Sequence, residues 1–179
     1  MPIGSGEPTN VDLGAILEGL LEAGIDFILV GGLAAVVQGA PVTTIDVDIV
    51  HNRSPENIAK LVAFLKSIGA FHRRPDDKVI EPKEDDISGT GHALFTTRLG
   101  ALDVLAVIEE GRAYEDLFKH TVEIDFRTHT IRVLDLEMLI QLKRNSSNPK
   151  DIQRLPVFEE TLRQLKDESD NEYEYSNKE

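Results

Sequence analysis

Residues 43–50, TTIDVDIV, constrain the fold more than any other stretch of the chain. Extended, they put Ile45, Val47 and Ile49 on one face and Thr44, Asp46 and Asp48 on the other. One face would lie on a core while the other carries two carboxylates. Strands ordinarily avoid Asp, so this pair at i, i+2 demands a cause. A second strand sharpens the demand. In ALDVLAVI (101–108) the residues Leu102, Val104 and Ala106 alternate with Ala101, Leu105 and Val107 around Asp103. Apolar on both faces, such a strand belongs in the middle of a sheet, where a lone carboxylate costs several kcal/mol unless something pairs with it.

The remaining elements are read by periodicity and punctuation. VDLGAILEGLLEA (11–23) predicts a helix with Leu13, Ile16, Leu17, Leu20 and Leu21 on one stripe, closed by Gly24. DFILV (26–30) is a short buried strand, and Gly31 and Gly32 turn it into a short helix over 33–38. SPENIAKLVAFLKSIGA (54–70) predicts a helix with Ser54 as N-cap and Pro55 in its first turn. Residues 72–91 are polar and full of breakers, which reads as a mobile loop. HALFTTRL (92–99) and ALDVLAVI form two strands about Gly100, and TVEIDF and TIRVL two more. DLEMLIQLKRN and PKDIQRLPVFEETLRQLKD are helices jointed at SSNP. The order predicts a mixed α/β (α+β) sheet with helices packed on one face and a helical C-terminal unit. Residues 1–134 would form the α/β domain, 135–167 a helical segment packed on it, and 168–179 a disordered acidic tail.

Charge and composition narrow the partners. The chain of 179 residues has a net charge of −13, with 32 acids against 19 Lys and Arg. An acidic body argues against binding nucleic-acid backbones over a broad surface, although Lys143, Arg144, Lys150 and Arg154 could make a local basic patch. With no cysteine there is no disulfide framework, thiolate metal site or thiol nucleophile. The start MPIGSGEPTN has neither a basic region nor an apolar run, and no stretch is long and apolar enough for a membrane span. A cytoplasmic protein is expected. GSGEPTN is not a P-loop, lacking both the Lys and a preceding strand; the five His show no metal-binding spacing, and no GxSxG elbow exists.

Three carboxylates on neighbouring strands, facing one point, make a hard-oxygen site suited to Mg²⁺ or Mn²⁺. Two such ions about 3.5–4 Å apart can serve an in-line phosphoryl displacement. A strand ending in Gly-Gly and turning straight into a helix presents backbone N–H groups to phosphate. The bland readings remain beside these. The Asp46/Asp48 pair could face water, Asp103 could pair with Arg98 or Arg132, Lys143 could snorkel, and Lys150–Asp151 could simply start a helix.

VGG, DVD after thirteen residues, and a third Asp in a later LDVL resemble the nucleotidyltransferase superfamily of the DNA polymerase β type. The nearest flavour is its bacterial minimal and abortive-infection group, and the resemblance covers roughly residues 25–155. It implies that Asp46, Asp48 and Asp103 bind Mg²⁺ or Mn²⁺ and carry catalysis, and that Gly31, Gly32 and Thr44 border a nucleoside triphosphate. LKRNSSNPKD resembles the later lysine-containing segment, so Lys143, Lys150 and Asp151 would contact phosphate or support it. The implied activity is transfer of a nucleoside monophosphate to an acceptor hydroxyl on a protein, a tRNA or a small molecule. Two departures stand out. Thr43 and Thr44 occupy positions where the group often has Arg, and Asn148 and Pro149 precede the KD where it often has another. They keep open a second expectation, a catalytically degenerate interaction protein with an antitoxin or phage-defence partner; a homodimer is also compatible.

Overall fold

The computed structural model describes residues 11–76 and 78–176. The first helix, α1 (Leu13–Glu22), is capped by Asp12, whose carboxylate accepts from the Ala15 N–H at 2.9 Å, and buries Ile16, Leu17 and Leu20. Strand β1 (Phe27–Val30) is buried at every position and runs without a loop into α2 (Gly31–Val37). After β2 (Asp46–His51) comes α3 (Pro55–Ser67), capped by Ser54 with Pro55 in its first turn. A two-residue strand β3 (Phe71–His72) and a short helix α4 (Glu84–Ser88) precede the hairpin of β4 (His92–Thr97) and β5 (Gly100–Leu105). The ribbon β6 (Val107–Ile108) and β7 (Arg112–Ala113) leads to α5 (Tyr114–Leu117), then to the hairpin β8 (Thr121–Phe126) and β9 (His129–Leu134). Two helices follow, α6 (Leu136–Lys143) and α7 (Pro149–Ser176).

Among the described residues seven strands form one mixed sheet in the order β3-β4-β5-β2-β1-β9-β8. β5 lies parallel to β2 and antiparallel to β4, so it is interior, as its two apolar faces predict. Strand parity sorts the faces. Val47, Ile49, Leu102, Val104, Ala93 and Phe95 are buried in the core shared with α1 and α3. Their neighbours Asp46, Asp48, Asp103 and Leu94 point to the opposite side, which is partly open. Ile45, expected on the covered face, precedes the strand and is exposed.

Two further expectations change. Residues 72–91 are not a free loop. Arg73 continues the pairing with β4 through its N–H to the Leu94 carbonyl, and Ile87 of α4 is only 2% exposed. The order comes from distant partners, which local composition does not encode. The acidic segment from 168 is helical as far as Ser176 rather than a disordered tail. Once α7 is anchored by buried Phe158, each added residue gains a backbone bond without a new nucleus. The N-terminal stretch 4–10 and the last three residues of the tail lie outside the described residues. No helix among them is long and apolar enough to cross a membrane.

Candidate active site

Asp48 and Asp103 are direct partners in the β2–β5 ladder, and Asp46 stands two residues before Asp48 on the same face. One carboxylate oxygen from each of the three lies within 4.8 Å of the other two. The sheet therefore brings together the acids that the sequence keeps 55 residues apart. Thr44 fixes the first of them: its hydroxyl donates to Asp46 Oδ1 at 3.1 Å.

The glycine corner is built against the same acids. Gly31 has φ +69°, and a Cβ placed there would fall 2.3 Å from Asp48 Oδ2. Only glycine combines that backbone with so close a carboxylate. At Gly32 a Cβ would lie 2.8 Å from Nη1 of Arg154 and 3.3 Å from Thr44 Oγ1. Both glycines thus leave room for charged side chains arriving from other elements.

The electrostatics are those of a crowded anion site. Burial, then Asp46, then Asp103 push the Asp48 carboxyl up to about 7, while Lys143 and Lys150 pull it down. Burial also raises Asp103, against the opposing pull of Arg73. The Arg73 guanidinium donates to Asp103 Oδ1 at 2.9 Å and to the Phe95 carbonyl at 3.0 Å. Asp103 does pair with an arginine, but neither Arg98 nor Arg132: Arg98 donates to the Ser67 carbonyl, and Arg132 pairs with Glu123. Sequence reasoning missed Arg73, whose one signal is a basic pair in an otherwise acidic breaker-rich segment. The donor set fits a hard divalent cation. It is all carboxylate oxygen and convergent, and two of its members, Asp48 and Asp103, are raised by burial.

Lys143 closes one side. Its ammonium lies 2.5 Å from Glu109 and 3.5 Å from Asp151; burial pulls its pKa down, but Glu109 and Asp151 outweigh that and hold it above the ordinary lysine value. Asp151 also accepts from the Ser146 hydroxyl at 2.7 Å, so it supports Lys143 from the α6–α7 joint. Lys150, beside it, caps onto Asn148 through its backbone N–H. A cleft of about 600 Å³ opens on this face, lined by Gly31, Asp48, Asp103, Leu94, Leu142 and Lys143 among others. His51 is not part of it. Its parity turns it to the helical side, where its ring nitrogens lie 3.1 Å and 3.0 Å from the Leu105 and Ile87 carbonyls, and burial lowers its pKa.

Neither a protein-family model nor a curated protein matches the chain. Solved structures do. The lincosamide antibiotic adenylyltransferase LnuA, lincomycin-bound, superposes with a TM-score of 0.57 at 14% identity, over 84% of this chain and 98% of its own. ANT(2")-Ia in complex with adenylyl-2"-tobramycin gives 0.51 at 16% identity, over 82% of this chain and 85% of its own. Likeness at these identities is likeness of fold. The chain shares the fold of these two adenylyl-transfer structures, in agreement with the fold that the resemblance in VGG, DVD and LDVL implies.

Proposed function

We propose that the protein transfers a nucleoside monophosphate from an NTP to the hydroxyl of an acceptor, releasing pyrophosphate. The observation that carries this reading is the convergence of Asp46, Asp48 and Asp103, oxygen to oxygen within 4.8 Å, beside the Gly31 corner. In the reaction a bond forms between the acceptor oxygen and the α-phosphorus. The bond from that phosphorus to the bridging oxygen of the β-phosphate breaks, and the leaving pyrophosphate carries away the electron pair.

Asp46 and Asp48 would hold Mg²⁺ or Mn²⁺, with Asp103 completing the set from the neighbouring strand. When bound, such ions neutralise phosphate charge and favour the attacking and leaving oxygens. The chain's own groups do the rest. Asp103, on the β5 side of the cluster, takes the proton of the acceptor hydroxyl; its burial raises its affinity for a proton. Thr44 keeps Asp46 in its rotamer through the 3.1 Å hydrogen bond. Lys143 and Lys150 supply positive charge near Asp48, and the Gly31–Gly32 backbone lets phosphate approach closely. Asp151 orients Lys143. A small hydroxyl-bearing acceptor is favoured, in line with the lincomycin and adenylyl-tobramycin named for the two similar structures and with the chain's acidity.

Calorimetric titration with each NTP, with and without Mg²⁺, tests the reading. Binding should require Mg²⁺ and should be lost in Asp46→Ala at unchanged helical content. Nucleotide binding indifferent to Mg²⁺ and to Asp46 would sink it.

A further inference from the structure

We infer that Arg154 contacts the β- and γ-phosphates of the nucleotide, delivering its guanidinium to the glycine corner from α7. The inference rests on the nucleotidyl-transfer reading and adds a residue to it. Three observations converge on this side chain. Its Nη1 lies where a Cβ on Gly32 would be only 2.8 Å away, so the guanidinium rests on the glycine backbone. Its Nη2 donates to the Thr43 carbonyl, which ties the guanidinium to the segment that leads into the strand of Asp46 and Asp48. Among the described residues it has no carboxylate within ion-pair distance, whereas Lys143 pairs with Glu109 and Asp151, and Arg144 with Glu159.

That contrast is informative in a chain of net charge −13. A guanidinium has five N–H donors, and the one bond to Thr43 leaves others available beside the acid cluster. Thr44 lies between the two halves of the site, with its hydroxyl 3.3 Å from the same Gly32 point and bonded to Asp46 at 3.1 Å. Lys150 precedes Arg154 by one helical turn, so both project from the same side of α7. A planar fork with free donors, next to an ammonium and adjacent to carboxylates that hold cations, matches an anion with several oxygens on successive phosphorus atoms.

The bland role is that Arg154 only pins the 43–44 segment by its bond to the Thr43 carbonyl. Two variants separate the roles. Arg154→Gln keeps an N–H donor for that carbonyl without charge, and Arg154→Lys keeps the charge without the fork. Calorimetry would use inorganic tripolyphosphate with Mg²⁺, which removes any preference for a base, alongside the four NTPs. The expected result is binding by the wild type, a loss of about 10- to 100-fold in Arg154→Gln, and partial recovery in Arg154→Lys. Wild-type affinity in Arg154→Gln would overturn the inference and leave the nucleotidyl-transfer reading standing. Failure of the wild type to bind either probe would overturn both. A measurement on the unaltered protein covers the case of a poorly folding variant. Phenylglyoxal should modify Arg154 readily, and Mg²⁺ with tripolyphosphate should protect it; modification at an unchanged rate would equally count against the contact.

Discussion

Asp48 shows how one residue can record the demands of a whole site. It lies against Gly31, opposite Asp103 and two residues from Asp46, and its carboxyl is pushed from 3.8 to about 7 by burial and those two acids. The sign of the consequence follows from which state holds the proton. Between about pH 4 and pH 7 the folded protein keeps a proton that the unfolded chain has already released. This group's contribution is therefore complete below pH 4 and declines until pH 7, by about 4 kcal/mol at 1.36 kcal/mol per unit. In EDTA, the wild type should lose stability across that window more steeply than Asp48→Asn, and the variant should melt higher at pH 8. Adding Mg²⁺ should raise the melting temperature of the wild type and do little for Asp48→Asn; thermal melts at pH 5 and pH 8 check both signs. Gly31 gives a second residue-level test through its match with Gly24. The two have nearly the same φ, +69° and +64°, yet a Cβ at Gly24 meets nothing within 4 Å while one at Gly31 strikes Asp48. Gly24→Ala should cost about 1–2 kcal/mol for the left-handed backbone alone. Gly31→Ala should cost more and should also weaken Mg²⁺ binding, as urea melts and calorimetry would show.

At the scale of elements, what the sequence reveals and what it hides divide by distance. Alternation in TTIDVDIV and the two-sided apolarity around Asp103 are local patterns, and they sufficed to place β2 and β5 and to turn three acids to one side. Ser54, Pro55 and Gly24 punctuate their helices as their chemistry requires. The segment 72–91 was opaque because its order is bestowed by others: β4 recruits Arg73, and the core beneath His51 recruits Ile87. Arg154 was visible only as one member of a basic patch, since its aim at Gly32 depends on how α7 packs, which helical periodicity does not specify. The Arg73–Asp103 pair makes a prediction at this scale. A carboxylate only 13% exposed has an arginine for its partner, and a cation at the proposed site would have to share that carboxylate with Arg73. In EDTA, Arg73→Met should destabilise the protein by about 1–2 kcal/mol, less than a fully buried pair because the guanidinium is partly solvated. It should also tighten Mg²⁺ binding. Weaker Mg²⁺ binding in this variant would show that the arginine organises the site instead of competing for it.

For the whole molecule the deciding quantity is the balance of charge. A surplus of 13 negative charges belongs to a chain whose candidate site is itself built of acids, and apart from Arg73, which pairs with Asp103, the basic residues near it, Lys143, Lys150 and Arg154, are gathered along α6 and α7. Three such residues can receive one triphosphate. They do not extend into the broad positive surface that a polyanionic acceptor needs, where affinity grows with the number of phosphates neutralised. The cleft beside the acids is also lined by Leu94 and Leu142, which suits a compact acceptor with an apolar side better than a nucleic-acid backbone. With an NTP labelled on its α-phosphate and a size-fractionated cell extract, label should therefore pass to a small-molecule fraction, with release of pyrophosphate, in the presence of Mg²⁺. Asp103→Asn should abolish that transfer while the protein stays folded, because the acceptor proton would have no carboxylate to receive it. Label appearing instead in the RNA fraction, in a manner steeply weakened by salt, would mean that the basic strip on α6 and α7 outweighs the charge of the body.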